Sequence, residues 1–300
     1  MKTKTKIALL GGDLRQYTAA VALSHGPWKI MMWGLDKSGG EETEITFCKS
    51  CEEALADSVG VILPLPASTD GVFLNAPFDA SGVRLRLAQL SERLSAGSVI
   101  VGGRIPTEFS ANAEACGIKV RDYFESEEFQ IQNAYTTAEA AISIAMNSLD
   151  KNICGAQIAI TGYGRIAKHL VRLLKNIGAE VTVAARKDSD LAWAFSIGCN
   201  VLKLDGKGSG LARLAHGFDI IYNTVPHWLF DRTFLENADK ATFIIDLASV
   251  PGGVDICAAK ELGANVLWAT SLPGKYAPMS AGKLIASCID RILREEVRVE

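Results

Sequence analysis

The sequence has no long hydrophobic run and no excess of basic charge. A membrane-spanning helix needs roughly 18 consecutive apolar residues, and no segment reaches that length. The 31 lysines and arginines are offset by 34 aspartates and glutamates, so we expect no nucleic-acid surface. The apolar stretch Ile7–Leu10 is too short for a signal peptide. We therefore expect a cytoplasmic protein that contacts neither membrane nor nucleic acid.

The cysteines are also poorly suited to cross-linking. They are seven in number and dispersed, which indicates reduced thiols rather than a disulfide framework. Cys48 and Cys51 form one C-x-x-C pair, but a zinc site of this type needs a second pair. We predict no metal and interpret the two thiols as part of an irregular surface stretch. A cysteine redox sensor is the weaker alternative.

Short apolar runs, often β-branched, alternate with longer helical patterns along the chain. This alternation is typical of parallel sheets covered by helices on both faces. At 300 residues the chain is long enough for about two domains. We predict an α/β protein with two doubly wound, Rossmann-like domains and an interdomain cleft. The predicted strands are Ile7–Leu10, Ile30–Trp33, Gly60–Leu63, Val99–Val101, Lys119–Arg121, Gln157–Thr161, Glu180–Ala184, Asn200–Lys203, Ile220–Asn223, Thr242–Asp246 and Val266–Ala269.

Helical periodicity places the domain boundary. A long helix is predicted over Gln132–Leu149, with N-cap candidates in the polar stretch 133–137. A helix from Ser280 to the end is expected to return to the first domain. The predicted domains are residues 1–131 with 279–300, and residues 132–278. Shorter helices are predicted near Gln16–Ser24, Arg84–Leu94 and Lys168–Ile177.

The strand at Gln157 runs into a glycine-rich turn, G-x-G-x-x-A. Gly162 allows a tight turn, Gly164 lets a pyrophosphate approach the backbone, and Ala167 allows close helix packing. A strand before the turn, a helix after it and a second strand at the expected distance along the chain favour a dinucleotide site. The other turn residues predicted to contact the cofactor are Tyr163, Arg165 and Ile166.

The second strand of this unit ends in two cations, Arg186 and Lys187. An NAD site usually has a carboxylate there for the ribose hydroxyl. Arg186 can bind a 2′-phosphate bidentately, with Lys187 and Arg165 adding charge. We predict NADP(H) in domain 132–278. The alternative is that the cations are solvated and Asp188 binds the ribose.

Three further loops follow predicted strands of the second domain. Ligands bind at the carboxyl ends of strands in open α/β sheets. We expect these loops to line the nicotinamide and its ribose, with ordinary turn chemistry as the alternative. The residues concerned are Thr224, Val225, Pro226, Leu247, Ala248, Ser249, Leu272 and Pro273.

The first domain has its own glycine turn, Gly11-Gly12-Asp13, between a strand and a helix. It lacks dinucleotide spacing. Arg15, close to the helix N-terminus, suits a substrate carboxylate facing the cleft. The alternative is a capping turn in which Asp13 is the N-cap.

Several of these segments together resemble the A subunits of dipicolinate synthase, over nearly the whole chain. The resemblance lies in IALLGGDLRQ, ILP (62–64), NAYTTAE (133–139), GYGRIAK, the AAR that ends at Arg186, NTVP, DLASVPGG (246–253) and SLPGKYAP (271–278). It implies a fold like that of 2-hydroxy-acid and alanine dehydrogenases. It also implies NADP-linked oxidation of a cyclic dihydrodipicolinate-type intermediate to pyridine-2,6-dicarboxylate, in the mother-cell cytoplasm during sporulation. The expected partners are a dicarboxylate substrate, further copies of the chain and a flavoprotein-like B subunit.

The sequence departs from that family at two places. Val250 stands where an arginine is expected, and Met279 and Ser280 stand where a lysine and a threonine are expected. If the arginine held a substrate carboxylate, this chain must use another cation. The candidates are Arg15, Arg104 and Lys275.

The residues predicted to act on substrate come from several segments. Arg15 is the predicted carboxylate anchor, and Asp13, Glu139 and His227 are candidate bases. Thr137 is predicted to hydrogen-bond substrate or to cap a helix. Glu139 has the alternative of a first-turn carboxylate that interacts with the helix dipole, and His227 that of a surface loop residue.

Two other functions fit parts of this pattern. A D-2-hydroxy-acid dehydrogenase needs an arginine after the fifth cofactor-domain strand and a histidine after the sixth. Those places hold Val250 and the histidine-free segment Thr270–Pro278, which argues against that activity. The other alternative is a non-catalytic, NADP-binding subunit that regulates or scaffolds a flavoprotein, and the sequence does not exclude it.

Overall fold

The computed structural model describes residues 4–36, 44–205 and 209–297. Contacts divide the chain into unit 1, Met1–Asn133 with Ala277–Glu300, and unit 2, Ala134–Tyr276. Each unit contains one six-stranded sheet, and every neighbouring pair of strands runs parallel. The prediction of two doubly wound α/β domains is confirmed.

The sheet of unit 1 has the order β3-β2-β1-β4-β5-β6. Its central strand β1 buries Ile7, Ala8, Leu9 and Leu10 completely, because helices cover both faces of a parallel sheet. Its strands are β1 (Thr5–Leu10), β2 (Trp28–Trp33), β3 (Ile45–Phe47), β4 (Gly60–Ile62), β5 (Val99–Gly102) and β6 (Lys119–Asp122). Its helices are α1 (Leu14–Ser24), α2 (Cys51–Leu55), α3 (Ala88–Arg93), α4 (Thr107–Ala115), the start of α5 (Glu127–Ser148) and α12 (Pro278–Glu296).

The last helix packs on the first helix of the same unit. A Cβ on Gly282 of α12 would lie 2.5 Å from Thr18 Cβ and 2.6 Å from the Arg15 carbonyl oxygen of α1. The glycine therefore lets the two helices approach closely. Ile285 and Ile289 of α12 join Ala19 and Leu23 of α1 in one buried core.

The sheet of unit 2 has the order β12-β11-β10-β7-β8-β9. Its central strand β7 is likewise apolar and buried. Its strands are β7 (Gln157–Thr161), β8 (Glu180–Ala185), β9 (Asn200–Lys203), β10 (Ile220–Asn223), β11 (Phe243–Asp246) and β12 (Val266–Trp268). Its helices, besides the rest of α5, are α6 (Arg165–Ile177), α7 (Asp188–Ser196), α8 (Ser209–Ala212), α9 (Arg232–Asn237), α10 (Ile256–Leu262) and α11 (Leu272–Tyr276).

The start of α5 corrects one prediction. The helix begins at Glu127, so the stretch 133–137 lies inside it and supplies no N-cap. The Ser126 hydroxyl accepts a hydrogen bond from the Phe129 N–H, and two glutamates occupy the first turn. These are the usual features of a helix N-terminus.

Cys48 and Cys51 also differ from the prediction of a surface stretch. Both thiols are free and buried, and Cys51 begins α2, whose N-cap is Ser50. The thiols pack into the core beside β2 and β4 as small apolar side chains. Among the described residues, no helix is both long enough and apolar enough to cross a membrane.

The segment predicted as helix Arg84–Leu94 is helical only over Ala88–Arg93. Leu85 and Leu87 are buried, whereas Arg86 between them forms an antiparallel bridge with Phe73. This alternation has the period of extended chain, which explains why the helix starts later.

Candidate functional site

The turn after β7 needs its two glycines for different reasons. Gly162 has φ of +84°, and a Cβ there would lie 2.8 Å from Thr224 Oγ1 and 2.9 Å from Val225 Cγ2. Gly164, the N-cap of α6, has φ of −81°, and nothing in the described part of the chain lies within 4 Å of the position its Cβ would take. The protein's own packing therefore requires Gly162. Gly164 leaves room for a ligand to approach the helix N-terminus.

A chain of buried polar side chains joins the ends of three neighbouring strands. Thr161 Oγ1 donates to Asn223 Oδ1 at 2.6 Å, and Asn223 Nδ2 donates to Asp246 Oδ1 at 2.7 Å. All three residues are at most 1% exposed. The network fixes the loops after β7, β10 and β11 relative to one another, at the edge of the sheet where this fold binds ligands.

The loop after β11 is anchored to this network. Asp246 accepts hydrogen bonds from the N–H groups of Ala248 (3.1 Å) and Gly253 (2.8 Å). A Cβ on Gly253 would lie 2.2 Å from Asn223 Nδ2. Between the two anchors Val250, which precedes a cis peptide bond, is 79% exposed. The network thus holds the loop by its ends and presents its tip to solvent.

The end of β8 presents positive charge. Arg186 directly follows the strand, Lys187 is the N-cap of α7, and both side chains are exposed. The next residue, Asp188, is ion-paired with Lys203 of β9. Two exposed cations thus lie at this strand end, next to a carboxylate that is ion-paired with β9.

The other predicted cofactor residues differ in exposure. Those that are buried are Leu247, Ala248, Leu272 and Pro273. Those that are half-buried are Tyr163, Ile166, Thr224 and Val225. Those that are exposed are Arg165, Pro226 and Ser249. Leu272 packs within the core of unit 2, which distinguishes it from the loop residues around it.

Two predicted catalytic residues lie well inside α5. Thr137 is buried and Glu139 is exposed, and neither is in the first turn, which starts at Glu127. The alternatives of a helix cap for Thr137 and a first-turn carboxylate for Glu139 are therefore wrong. Glu139 accepts a hydrogen bond from the Tyr135 phenol, which raises the pKa of that phenol.

The remaining candidates are dispersed. His227 is exposed in the loop after β10. Arg104 has φ of +51°, and its guanidinium lies 4.4 Å from the Phe124 ring centroid. Lys275 is exposed on α11. Within residues 4–36, 44–205 and 209–297, no three histidine, cysteine or acidic side chains form a group that could hold a metal ion.

In unit 1 the turn after β1 brings Asp13 and Arg15 together. Asp13 Oδ1 caps α1 by accepting the Arg15 N–H at 2.9 Å. The Arg15 guanidinium also binds the carboxylate, with Nε 3.0 Å from Oδ1 and Nη2 2.8 Å from Oδ2. Nη2 donates in addition to the Leu65 carbonyl at 2.6 Å. Asp13 is therefore both the cap of α1 and the counter-ion of Arg15.

Two buried polar residues close to this pair were missed from the sequence. Gln16 is 2% exposed and Tyr123 is 1% exposed. In the part of the chain that the structure describes, neither the Gln16 amide atoms nor the Tyr123 hydroxyl has a hydrogen-bond partner. Burial raises the pKa of the Tyr123 phenol far above its usual range, and the charges of Arg15 and Asp13 act on it as well. The available signal was a glutamine on the same helix face as Ala19, Ala20 and Leu23.

Comparisons with known proteins agree over nearly the whole chain. Residues 6–124 match the family model described as the N-terminal domain of the dipicolinate synthase A subunit. The chain is 31% identical over 295 residues to the A subunit of dipicolinate synthase from Bacillus subtilis (strain 168), covering 98% of each chain.

Solved structures give the same result. The crystal structure of the dipicolinate synthase A subunit from Bacillus halodurans superposes with a TM-score of 0.86 at 27% identity, covering 98% of this chain and 99% of that one. An L-alanine dehydrogenase superposes with a TM-score of 0.66 at 10% identity, covering 98% and 91%. The latter likeness shows the fold alone.

Proposed function

Because the chain belongs to the family of dipicolinate synthase A subunits, we propose that it is the NADP-linked oxidoreductase subunit of a dipicolinate synthase. Its substrate is a cyclic dihydrodipicolinate-type intermediate, and its product is dipicolinate (pyridine-2,6-dicarboxylate). The reaction belongs to sporulation, in the mother-cell cytoplasm.

The observation that supports NADP as the cofactor is the pair of exposed cations at the end of β8. Arg186 binds the 2′-phosphate, and Lys187 and Arg165 add positive charge. The turn at Gly162 and Gly164 holds the pyrophosphate at the N-terminus of α6. The residues proposed to line the nicotinamide and its ribose are Thr224, Val225, Pro226, Leu247, Ala248, Ser249, Leu272 and Pro273.

The reaction removes a hydride and a proton from the dihydropyridine ring and leaves an aromatic ring. When bound, NADP+ supplies the acceptor for the hydride. Arg15 anchors a substrate carboxylate through its planar fork of donors. Asp13, Glu139 and His227 are the candidate acceptors of the ring proton, and Thr137 is a candidate hydrogen-bond partner of substrate.

The names of the relatives describe one subunit of an enzyme, which supports a heteromeric assembly. The proposed second chain is a flavoprotein-like B subunit. We propose that the present chain also associates with copies of itself. An assay with and without the second chain decides whether turnover needs it.

The experiment is an absorbance assay for reduced nicotinamide, in which purified protein is mixed with NADP+ or NAD+ and freshly generated dihydrodipicolinate precursor. It is run with and without the flavoprotein-like partner, and dipicolinate is quantified by chromatography. We expect one NADPH for each dipicolinate formed. Tight NADP+ binding with no turnover in either mixture would replace the proposal with a non-catalytic, NADP-binding subunit.

Arg15→Ala tests the anchor in the same assay, with Arg84→Ala as the matched control. Arg84 is an exposed, ion-paired arginine of unit 1 outside the proposed site. We expect Arg15→Ala to lose turnover and keep NADP+ binding, and Arg84→Ala to keep both. Unchanged turnover in Arg15→Ala would exclude Arg15 as the anchor.

A further inference from the structure

The carboxylate of Asp13 occupies the edge of the Arg15 guanidinium formed by Nε and Nη2. The Asp13 side chain is 30% exposed, whereas that of Arg15 is 11% exposed. Two guanidinium nitrogens bind the carboxylate, and Nη2 also reaches the buried Leu65 carbonyl. An incoming carboxylate can therefore form the same two-point contact with Arg15 only where the Asp13 carboxylate now lies.

Gln16 and Tyr123, whose buried polar atoms have no partner among the described residues, lie near this ion pair: Gln16 follows Arg15 on α1, and the charges of Arg15 and Asp13 both act on the Tyr123 phenol. A Cβ on Gly12, the residue before Asp13, would lie 2.6 Å from Gln16 Cβ. A Cβ on Gly103 would lie 2.7 Å from Leu65 Cδ1 and 2.9 Å from Cζ of Tyr123. The Tyr123 ring and the side chain of Leu65, whose carbonyl accepts from Arg15, therefore both lie next to Gly103, and Gln16 packs against the turn that carries Asp13.

We propose that Asp13, Arg15, Gln16 and Tyr123 form a carboxylate-exchange site. A carboxylate of the ligand replaces Asp13 on the Arg15 guanidinium, and the Gln16 amide and Tyr123 hydroxyl hydrogen-bond the ligand's remaining polar atoms. The ligand class is a planar pyridine or dihydropyridine dicarboxylate, and this identification rests on the proposed function.

The buried polar atoms of Gln16 and Tyr123 support the binding of a ligand at this site. A buried donor or acceptor without a partner destabilises a fold, and most folded proteins satisfy nearly all of them. Within the described ranges, both residues whose buried side-chain atoms lack partners are near this ion pair, since Gln16 follows Arg15 on α1 and the charges of Arg15 and Asp13 act on Tyr123. A ligand that supplies acceptors and donors there would satisfy both.

The ion pair between Asp13 and Arg15 supports the exchange of one carboxylate for another. A buried guanidinium without a counter-ion is strongly unfavourable, so an anchor of this kind needs an anion in the absence of ligand. Asp13 supplies it from two residues away in the sequence. Exchange of one carboxylate for another keeps Arg15 paired throughout and makes ligand affinity depend on competition with Asp13.

Competition between Asp13 and the ligand for Arg15 predicts that removing the Asp13 charge strengthens ligand binding. Asn is as good an N-cap as Asp, so Asp13→Asn keeps the cap of α1 and removes the competing charge. By isothermal titration calorimetry without nucleotide, we expect Asp13→Asn to bind pyridine-2,6-dicarboxylate about tenfold more tightly than wild type. Arg15→Lys, which loses the fork but keeps the charge, should bind about tenfold more weakly. Equal or weaker binding by Asp13→Asn would overturn the exchange.

The exposed pair Asp70–Arg84 of the same unit gives the matched control. Asp70→Asn also frees an arginine from its carboxylate, and we expect it to leave dicarboxylate affinity unchanged. A tenfold gain in Asp70→Asn as well would mean that net charge alone sets the affinity, and would overturn the site.

Tyr123→Phe and Gln16→Met separate ligand binding from stability. Each removes polar atoms that have no partner in the described part of the chain, so we expect melting temperatures equal to wild type or higher. We expect affinity for pyridine-2,6-dicarboxylate to fall severalfold in each variant. Unchanged affinity in both would remove these residues from the site.

The experiments distinguish a failure of the proposed redox function from a failure of the carboxylate-exchange site. If the dicarboxylate binds with the predicted order of affinities but NADP+ is not reduced, the exchange site stands and the redox function is wrong. If NADP+ is reduced and Asp13→Asn gains no affinity, the function stands and the exchange is wrong.

Discussion

Asn223 and Asp246 lie directly opposite each other at the ends of β10 and β11 and share a 2.7 Å hydrogen bond between fully buried side chains. Thr161 completes the row on β7, in register with Asn223. The three side chains satisfy one another and also hold backbone groups of the following loops. The row therefore couples the stability of unit 2 to the geometry of its candidate cofactor loops.

Asn223→Ala should strongly destabilise the protein. It removes the partner that the Asp246 carboxylate and the Thr161 hydroxyl share, at a cost of about 3 kcal/mol or more in the free energy of unfolding. Urea denaturation measures it. Asn237→Ala is the matched control, because that asparagine is exposed on α9 and should change stability by about 0.5 kcal/mol or less. Equal effects of the two variants would contradict the role of the network.

The two glycines of the β7 turn should respond differently to alanine. Gly162→Ala introduces a Cβ at positive φ against Thr224 and Val225, so we expect a loss of about 2 kcal/mol or more. Gly164→Ala meets open space and should stay within about 1 kcal/mol of wild type while weakening dinucleotide binding. Thermal melts and NADP+ titration distinguish the two. A stable Gly162→Ala would show that the turn tolerates a side chain.

Cys51 should make the protein less stable at alkaline pH. Burial raises the pKa of its thiol from 9.0 to about 11, while Arg93 opposes the shift. The folded chain thus holds this proton more tightly than the unfolded chain. Its contribution is complete below pH 9 and is lost as the pH rises toward 11, by up to about 3 kcal/mol. Cys51→Ala should flatten this pH dependence, and alanine at the exposed Cys116 should not. An unchanged slope in Cys51→Ala would refute the assignment.

Much of the fold could be predicted from the sequence, because most strands are apolar runs buried on both faces. The short edge strand β3, Ile45–Phe47, was missed, since three residues give too little pattern. The start of α5 was placed too late because the polar residues inside it, such as Asn133, resemble capping residues. The correct signal was Ser126 followed by two glutamates.

The site was less predictable. Gly162 and its neighbours form a local motif, so residue spacing could identify them. Among the described residues, the buried polar atoms of Tyr123 and Gln16 lack hydrogen-bond partners. Whether a partner is present depends on segments distant in the sequence, so no local sequence pattern predicts it. Likewise, the pairing of Asp188 with Lys203 joins residues on different elements.

The dissociation constants for NADP+ and NAD+ show whether Arg186 selects the nucleotide that carries a 2′-phosphate. We predict that wild type prefers NADP+, and that Arg186→Gln weakens NADP+ binding about tenfold or more and leaves NAD+ binding unchanged. Arg213→Gln, at an exposed arginine elsewhere in unit 2, is the control and should change neither. Equal affinity of wild type for the two nucleotides, or an equal loss of affinity for both in Arg186→Gln, would contradict the binding of a 2′-phosphate by Arg186.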